Sequence, residues 1–242
     1  MILALGIAWA LVSGLAPVTL PRISGSGNLL VNGSFEQPVG SLLTIGPPVS
    51  RWQRFQMWYR INSEINRVSV GRRQRPVYVP FPPSPPDLTG WRVLKGTVDV
   101  VGRGYWQQAP GQGNQSIDLI GTPGAATIEQ TFPTEPGREY LFSGWLSHNP
   151  EIDPALVRRA NVYLNNAFFV QLAHGDAKTR RQNMRWRRFS YRFRATSSRT
   201  TLKLQDVTVA SGTPASYMAV QLCGTVLDGL SVTPVASSRA ER

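Results

Sequence analysis

The sequence predicts an all-β chain folded as an antiparallel β-sandwich, and three observations carry that expectation. Apolar residues recur with period two: Ile117 and Leu119 alternate with Ser116 and Asp118, and Phe189, Tyr191 and Phe193 alternate with Arg188, Ser190, Arg192 and Arg194. β-Branched residues fill short runs closed by glycine, as in Thr97–Val101 between Gly96 and Gly102. No stretch between Gly90 and Gly121 repeats with helical period.

In chain order, residues 1–21 form a signal-like apolar segment and 22–27 a Gly/Ser linker. A single domain over 28–235 is interrupted by an insertion at 37–89, and 236–242 is a polar tail. The apolar core Ile2–Val12 resembles the hydrophobic part of a secretory signal. It lacks a preceding basic residue, and the other reading is an N-terminal membrane anchor; a full span needs about 20 apolar residues, and Ser13, Gly14 and Pro17 interrupt this one. Asn28–Glu36 is expected as the first strand, bent at Asn32-Gly33. The insertion is basic and aromatic over Arg51–Arg75, then proline-rich over Pro76–Pro86, and is expected to be irregular. Trp91–Leu94, Thr97–Val101, Ser116–Ile120, Ala126–Phe132 and Arg138–Leu146 follow as strands. Asn161–Leu164 and Ala167–Leu172 read as a hairpin about Asn165-Asn166. Trp186–Ala195 pairs with Thr200–Gln205, Ser211–Ser216 is a loop, and Thr225–Val232 closes the domain.

Several pieces recur in the order of a known family. They are NLLVNGSFE at 28–36, the GW at Gly90-Trp91, GNQSIDLIG ending at Gly121, the IEQTF run at Ile128–Phe132, and LDGLSV at Leu227–Val232. In this the chain resembles a family of secreted proteins, the bacterial choice-of-anchor C proteins and their plant cell-wall relatives. That resemblance implies a jelly-roll β-sandwich of the galactose-binding-like, carbohydrate-binding-module-like type. It also implies a structural Ca²⁺ tying the first strand to the last, with Glu36 and Asp228 as its carboxylates; hard oxygen ligands suit that ion. Plant members are associated with the cell wall.

Charge narrows the partner. Twenty-six Lys and Arg face fourteen Asp and Glu in 242 residues, a formal net charge of +12. That balance favours an acidic partner: acidic polysaccharide, anionic envelope or nucleic acid. The single cysteine, Cys223, excludes an internal disulfide and reads as a small buried hydrophobe. Catalytic signals are sparse: there are two histidines, His148 and His174, and no G-x-S-x-G elbow. His148 reads as an ordinary loop histidine before it reads as a base. Asp99, Asp118 and Glu129 on neighbouring strands would hydrolyse glycosides only if two of them stood about 5 to 9.5 Å apart.

Sugar recognition would rest on exposed rings. Trp106, with Gln107 beside it, is the first candidate, followed by Trp58 and Tyr59 in the insertion; Trp91, Trp145 and Trp186 are assigned to the core. Arg188 and Arg192, on the outer face of their strand, are candidates for binding carboxylate or sulfate. The alternative reading of these arginines is a solvated face in a chain that uses Arg where others use Lys. The resulting expectation is an exported, non-catalytic carbohydrate-binding-like module for acidic cell-envelope or extracellular polysaccharide, secreted, periplasmic or at the cell surface. The alternatives are a structural or protein-interaction module contacting a cell-surface protein and, behind it, a glycoside hydrolase or lyase. Nucleic acid conflicts with export, and no membrane span is expected after processing.

Overall fold

The computed structural model describes residues 27–40, 42–46, 87–121 and 124–236. Thirteen strands run in order: β1 Leu42–Ile45, β2 Arg92–Lys95, β3 Val98–Gly102, β4 Gln115–Asp118, β5 Ile120–Gly121, β6 Gly124–Ala125, β7 Thr127–Pro133, β8 Glu139–His148, β9 Arg158–Leu164, β10 Ala167–His174, β11 Arg187–Arg194, β12 Arg199–Asp206 and β13 Thr225–Pro234. One helix, α1 (Pro214–Leu222), precedes β13. A six-stranded sheet with order β1-β3-β4-β13-β8-β11 packs on a five-stranded sheet with order β10-β9-β12-β7-β2, while β5 and β6 pair alone. Every pairing is antiparallel. The architecture is the expected jelly-roll sandwich.

The two inner faces supply the core. Tyr140 and Phe142 of β8 meet Phe193 and Phe189 of β11, at ring-centroid distances of 5.5 and 5.2 Å. Ile128, Val162, Leu202 and Leu204 close on them from the other sheet, all without exposed surface. Each large side chain buried in this way contributes about 1.5–3 kcal/mol of transfer free energy. The Asn165-Asn166 hairpin forms as expected: both residues take positive φ (50° and 67°), which a two-residue turn between twisted strands requires.

Five expectations need correction. β11 does not pair with β12: it pairs with β8 in one sheet, while β12 pairs with β7 and β9 in the other, because the connection between them crosses from sheet to sheet. Asn28–Glu36 is a string of turns, because Asn32 and Phe35 take positive φ. It is held to β13 by the Asn28 side chain, whose Nδ2 donates to the Leu230 carbonyl at 2.9 Å and whose Oδ1 accepts from Val232 N at 2.9 Å, and by backbone bonds from Leu29 N to the Val232 carbonyl and from Leu230 N to the Gly33 carbonyl, each 2.8 Å. The insertion is not irregular throughout, since β1 lies inside it and adds an edge to β3. β4 is buried on both faces rather than one, since polypeptide covers its outer side as well. Ser211–Ser216 is not all loop. Thr213 caps α1, its hydroxyl accepting from Ser216 N at 3.1 Å while the Ser216 hydroxyl accepts from Thr213 N at 3.1 Å, and Pro214 fits the first turn.

Gly96 makes the turn between β2 and β3 at φ +65°, and a Cβ there would sit 2.1 Å from the Ala125 carbonyl oxygen. Gly96→Ala is therefore expected to lower stability by ~2 kcal/mol or more. Urea denaturation with an unchanged midpoint would show that the turn relaxes at no cost.

Candidate functional site

β8 sends Tyr140, Phe142 and Leu146 inward, so Leu141, Ser143, Trp145 and Ser147 fall on the outer face by strand alternation. Register then builds a row. Arg188 stands opposite Trp145 on one side and Asp228 opposite it on the other. Ser190 and Ser231 flank Ser143 in the same way, with the Ser143 and Ser231 hydroxyls 2.9 Å apart.

Two segments, 103–112 and 175–186, fold across one end of this face. Trp106 turns down between them onto Val101, Met184 and Val226, forming a second, smaller core with Tyr105 and Trp186 at its margin. The Arg181 guanidinium lies 4.2 Å over the Tyr105 ring and bonds the Glu151 carboxylate. Gln107 ties the segments together: its N–H donates to the Arg181 carbonyl (2.7 Å), its Oε1 accepts from Met184 N (3.0 Å), and its carbonyl accepts from the Trp186 indole N–H (3.0 Å). Trp186 is thereby fixed on the outer face, on the same side of the sheet as Trp145.

Two hollows flank this lid. One, of about 400 Å³, has His174, Asp176, Arg185, Trp186 and Arg187 in its wall; the other, of about 570 Å³, has Gln112, Ser143, Trp145, Arg188 and Ser231. Pro110 lines both, so the two hollows adjoin across it and together make up the groove on this face. Arg185 is held by Asp176 (Nε to Oδ2, 3.0 Å) and Arg187 by the Ala173 carbonyl (2.8 Å). Arg192 and Arg194 share Glu139, at 3.9 and 3.1 Å. Among the described residues Arg188 takes part in no ion pair, so its planar fork is open to an anion.

The structure reassigns several expected residues. Trp106 is 2% exposed and its indole N–H donates to Ser116 Oγ at 2.9 Å, so it cannot stack on a ligand. Gln107 sits at the groove but spends its amide oxygen on the lid. Arg188 and Arg192 lie on the outer face, whereas Trp58 and Tyr59 fall outside the described residues. Trp91 is in the core, but Trp145 and Trp186 are not: both are half-buried on the outer face. Parity would have found them. Trp145 is out of phase with the inward Phe142-Gly144-Leu146 series, and Trp186 is out of phase with Phe189, Tyr191 and Phe193.

The carboxylates divide. Asp99 and Asp118 are cross-strand partners, whereas Glu129 belongs to the other sheet and pairs with Arg92. Asp118 has no exposed surface and accepts from Ile120 N (2.9 Å), Gly224 N (2.9 Å) and Asn149 Nδ2 (2.7 Å). Burial holds its carboxyl well above the usual range, the hydrogen bond from Ile120 opposing. Burial likewise pushes Asp99 up to about 6 against the Thr44 hydroxyl. These three therefore do not open together on one groove. His148, expected in a loop, ends β8 instead, with no exposed surface.

Glu36 and Asp228 both grip the loop 109–115. Glu36 Oε1 accepts from Asn114 N and Gln115 N, each at 2.9 Å, while Asp228 accepts from Ala109 N (3.3 Å) and Gly229 N (2.6 Å). Burial pushes the Asp228 carboxyl up to about 8; the N–H groups of Gly229 and Ala109 oppose this and the Glu36 charge adds to it. Among the described residues neither carboxylate has an ion-pair partner, and the two lie close enough to repel. Two carboxylates without ion-pair partners are the oxygen donors a hard dication takes, although both already accept backbone N–H groups. No group of three or more His, Cys, Asp or Glu surrounds them among the described residues, so carbonyl and amide oxygens would complete the set.

No curated protein matches the chain. Among solved structures it is similar to TmCBM61 in complex with β-1,4-galactotriose, at 14% identity over 61% of this chain and 90% of that one, with a TM-score of 0.42. It is also similar to the CBM22-1 xylan-binding domain of Paenibacillus barcinonensis Xyn10C, at 15% identity over 62% and 88%, with a TM-score of 0.37. A third similarity is to a cycloisomaltooligosaccharide glucanotransferase of Paenibacillus sp., at 14% identity over 55% of this chain with a TM-score of 0.35; the chain spans 16% of that enzyme's length. A family profile described as "Protein of unknown function (DUF642)" matches residues 81–233, which run from the end of the insertion to the last strand. The chain belongs to that family.

Proposed function

We propose that this protein is an exported, non-catalytic carbohydrate-binding module whose ligand is an acidic polysaccharide of a cell envelope or extracellular matrix. The observation that carries the reading is the pairing of Trp145 and Trp186, presented on one sheet face, with an open guanidinium at Arg188. A flat indole stacks on the apolar face of a pyranose, and a guanidinium fork binds a carboxylate or sulfate bidentately. The serine hydroxyls of Ser143, Ser190 and Ser231 and the Gln112 amide supply neutral partners for sugar hydroxyls. The formal charge of +12 favours a polyanion for the protein as a whole, and Arg185, Arg187 and Arg188 bring part of that charge to the groove. Export rests on the apolar segment at residues 2–12, and the likeness to choice-of-anchor C and plant cell-wall proteins supports the same location.

A bound Ca²⁺ belongs to this reading as a structural element. Glu36 and Asp228 would hold it, and it would fix the loop 109–115, which carries Pro110 and Gln112 into the groove.

Binding to immobilised neutral and sulfated or uronate-bearing polysaccharides tests the function. Trp145→Ala is expected to weaken binding about tenfold or more, equivalent to ~1.4 kcal/mol. Arg188→Ala should weaken only the acidic glycans and flatten their salt dependence. Equal binding by wild type and both variants would remove the groove from the ligand site; no binding to any glycan would end the reading.

The metal has its own test. Without a cation, the raised folded pKa of Asp228 stabilises the fold fully below its ordinary value near 4, and that contribution is lost as pH climbs to about 8. A bound dication needs the ionised carboxylate and cancels the loss. A chelator should therefore lower the melting temperature more at pH 8 than at pH 5, and Asp228→Asn should abolish the difference. Identical melting with and without chelator at both pH values would exclude the ion.

A further inference from the structure

Behind the groove wall two buried histidines face each other in an unusual way. His148, at the end of β8, and His174, at the end of β10, bring their Nδ1 atoms to 2.7 Å, with 0% and 2% of their surfaces exposed. Two ring nitrogens approach so closely only with one proton between them. The arrangement fixes both tautomers. His174 Nε2 lies 3.0 Å from the Arg185 carbonyl, an acceptor, so Nε2 carries a hydrogen and Nδ1 is a lone pair. His148 Nδ1 must then be the donor in the neutral pair; its buried Nε2 has no hydrogen-bond partner within bonding geometry, although the Pro154 carbonyl stands near enough to favour a proton on this ring.

Neither ring accepts a further proton comfortably. On His174 Nδ1 it would turn both facing atoms into donors with no acceptor between them. On His148 Nε2 it would place a charge in a site without solvent. Every charged group packed around the pair bears on this. Arg158 on β9 is the cross-strand partner of His174 and opposes a charge on His148, while Arg185 and Arg187 oppose one on His174. Asp176 and the carbonyls of Pro154 and Arg185 pull the other way. Burial outweighs them: His148 is pushed down to about 3, and His174 is held below its ordinary value.

His174 also belongs to the groove wall. Its N–H holds the Arg185 carbonyl, Arg185 stands at φ +53°, and the next residue is Trp186. We propose that the His148–His174 contact is an acid-sensitive latch: proton uptake parts the two rings and frees the wall over residues 174–187. Trp186, Arg185 and Arg187 then lose their fixed places. As a control over ligand capture this rests on the groove being the binding site; as a conformational latch it does not. The sign follows from the lowered pKa values. The latched arrangement is fully favoured above the ordinary histidine value near 6.5 and loses ground as pH falls, by up to about tenfold per unit for each histidine.

The test is amide exchange by mass spectrometry on the full-length protein at pH 7.5 and 4.5, corrected for intrinsic rates, with dextran sulfate binding followed in parallel because its charge does not titrate in this range. Exchange over residues 174–187 is expected to rise roughly tenfold or more at pH 4.5 while the β7–β12 pair stays protected. His148→Asn keeps an amide donor near the Nδ1 position without a titrating ring, and should remove most of that rise. Equal exchange at both pH values, or a rise unchanged in His148→Asn, would overturn the latch whatever the polysaccharide does. Failure to bind dextran sulfate at pH 7.5 alongside the expected exchange would count against the ligand reading and leave the latch standing. Should His148→Asn not fold, nitrogen NMR of the wild type decides: Nδ1–H on His148 with Nε2–H on His174 supports the latch, and identical tautomers refute it.

Discussion

One guanidinium organises the end of the sandwich on which the rest depends. Arg158 starts β9 with no exposed surface, and its donors go to main-chain carbonyls: Nε to Cys223 at 2.9 Å, Nη1 to Leu156 at 2.7 Å and Nη2 to Ile152 at 2.7 Å. Burial works against its charge, and the nearby Asp118, Asp153 and Asp206 partly offset that. The loop 149–157 is thereby wrapped around one side chain. Asn149 reaches from that loop to Asp118, and Asp206 receives the N–H of Thr225 where β13 begins. Loop, helix end and central strand are set by a single polar network, which a hydrophobic substitute of equal volume would leave with unmatched carbonyls.

From that anchored end the outer face takes its shape. β8 and β13 run from the network into the open sheet, and their parity decides which side chains reach the groove. The lid of residues 103–112 then occupies only part of the face, because Trp106 is consumed in sealing it and Gln107 in fastening it. What stays open is the strip between Trp145, Trp186 and the arginine row. Binding capacity here is what remains after the sheet has been half covered.

Much of this was legible in the sequence, and the misses have physical reasons. The β11 alternation was readable because an edge strand has one solvent face, so its arginines and aromatics separate cleanly by parity. Strand order along the chain, the Asn165-Asn166 turn and the closing strand were readable for similar local reasons. Trp106 misled because its burial comes from Met184 and Val226, far along the chain, and no local pattern reports a lid. Trp145 and Trp186 were placed by size when phase would have placed them correctly. β4 read as half-buried because Ser116 and Asp118 look solvated, yet one receives the Trp106 indole and the other three N–H groups. The His148–His174 contact joins residues 26 apart through the ends of strands in different sheets, which no motif announces.

The arginines of β11 have a consequence beyond any ligand. Among the described residues β11 is the outermost strand of its sheet, with one row of backbone donors and acceptors unshared. Such an edge is a template for adding another strand, and two copies meeting there would join their sheets into one. Arg188, Arg192 and Arg194 alternate along it, so antiparallel approach of a second copy sets like charge against like charge. The residues proposed to bind a polyanion would thus also keep the molecules apart. If the proposed acidic chain saturates them, that repulsion falls away, and neighbouring domains on one chain could approach edge to edge.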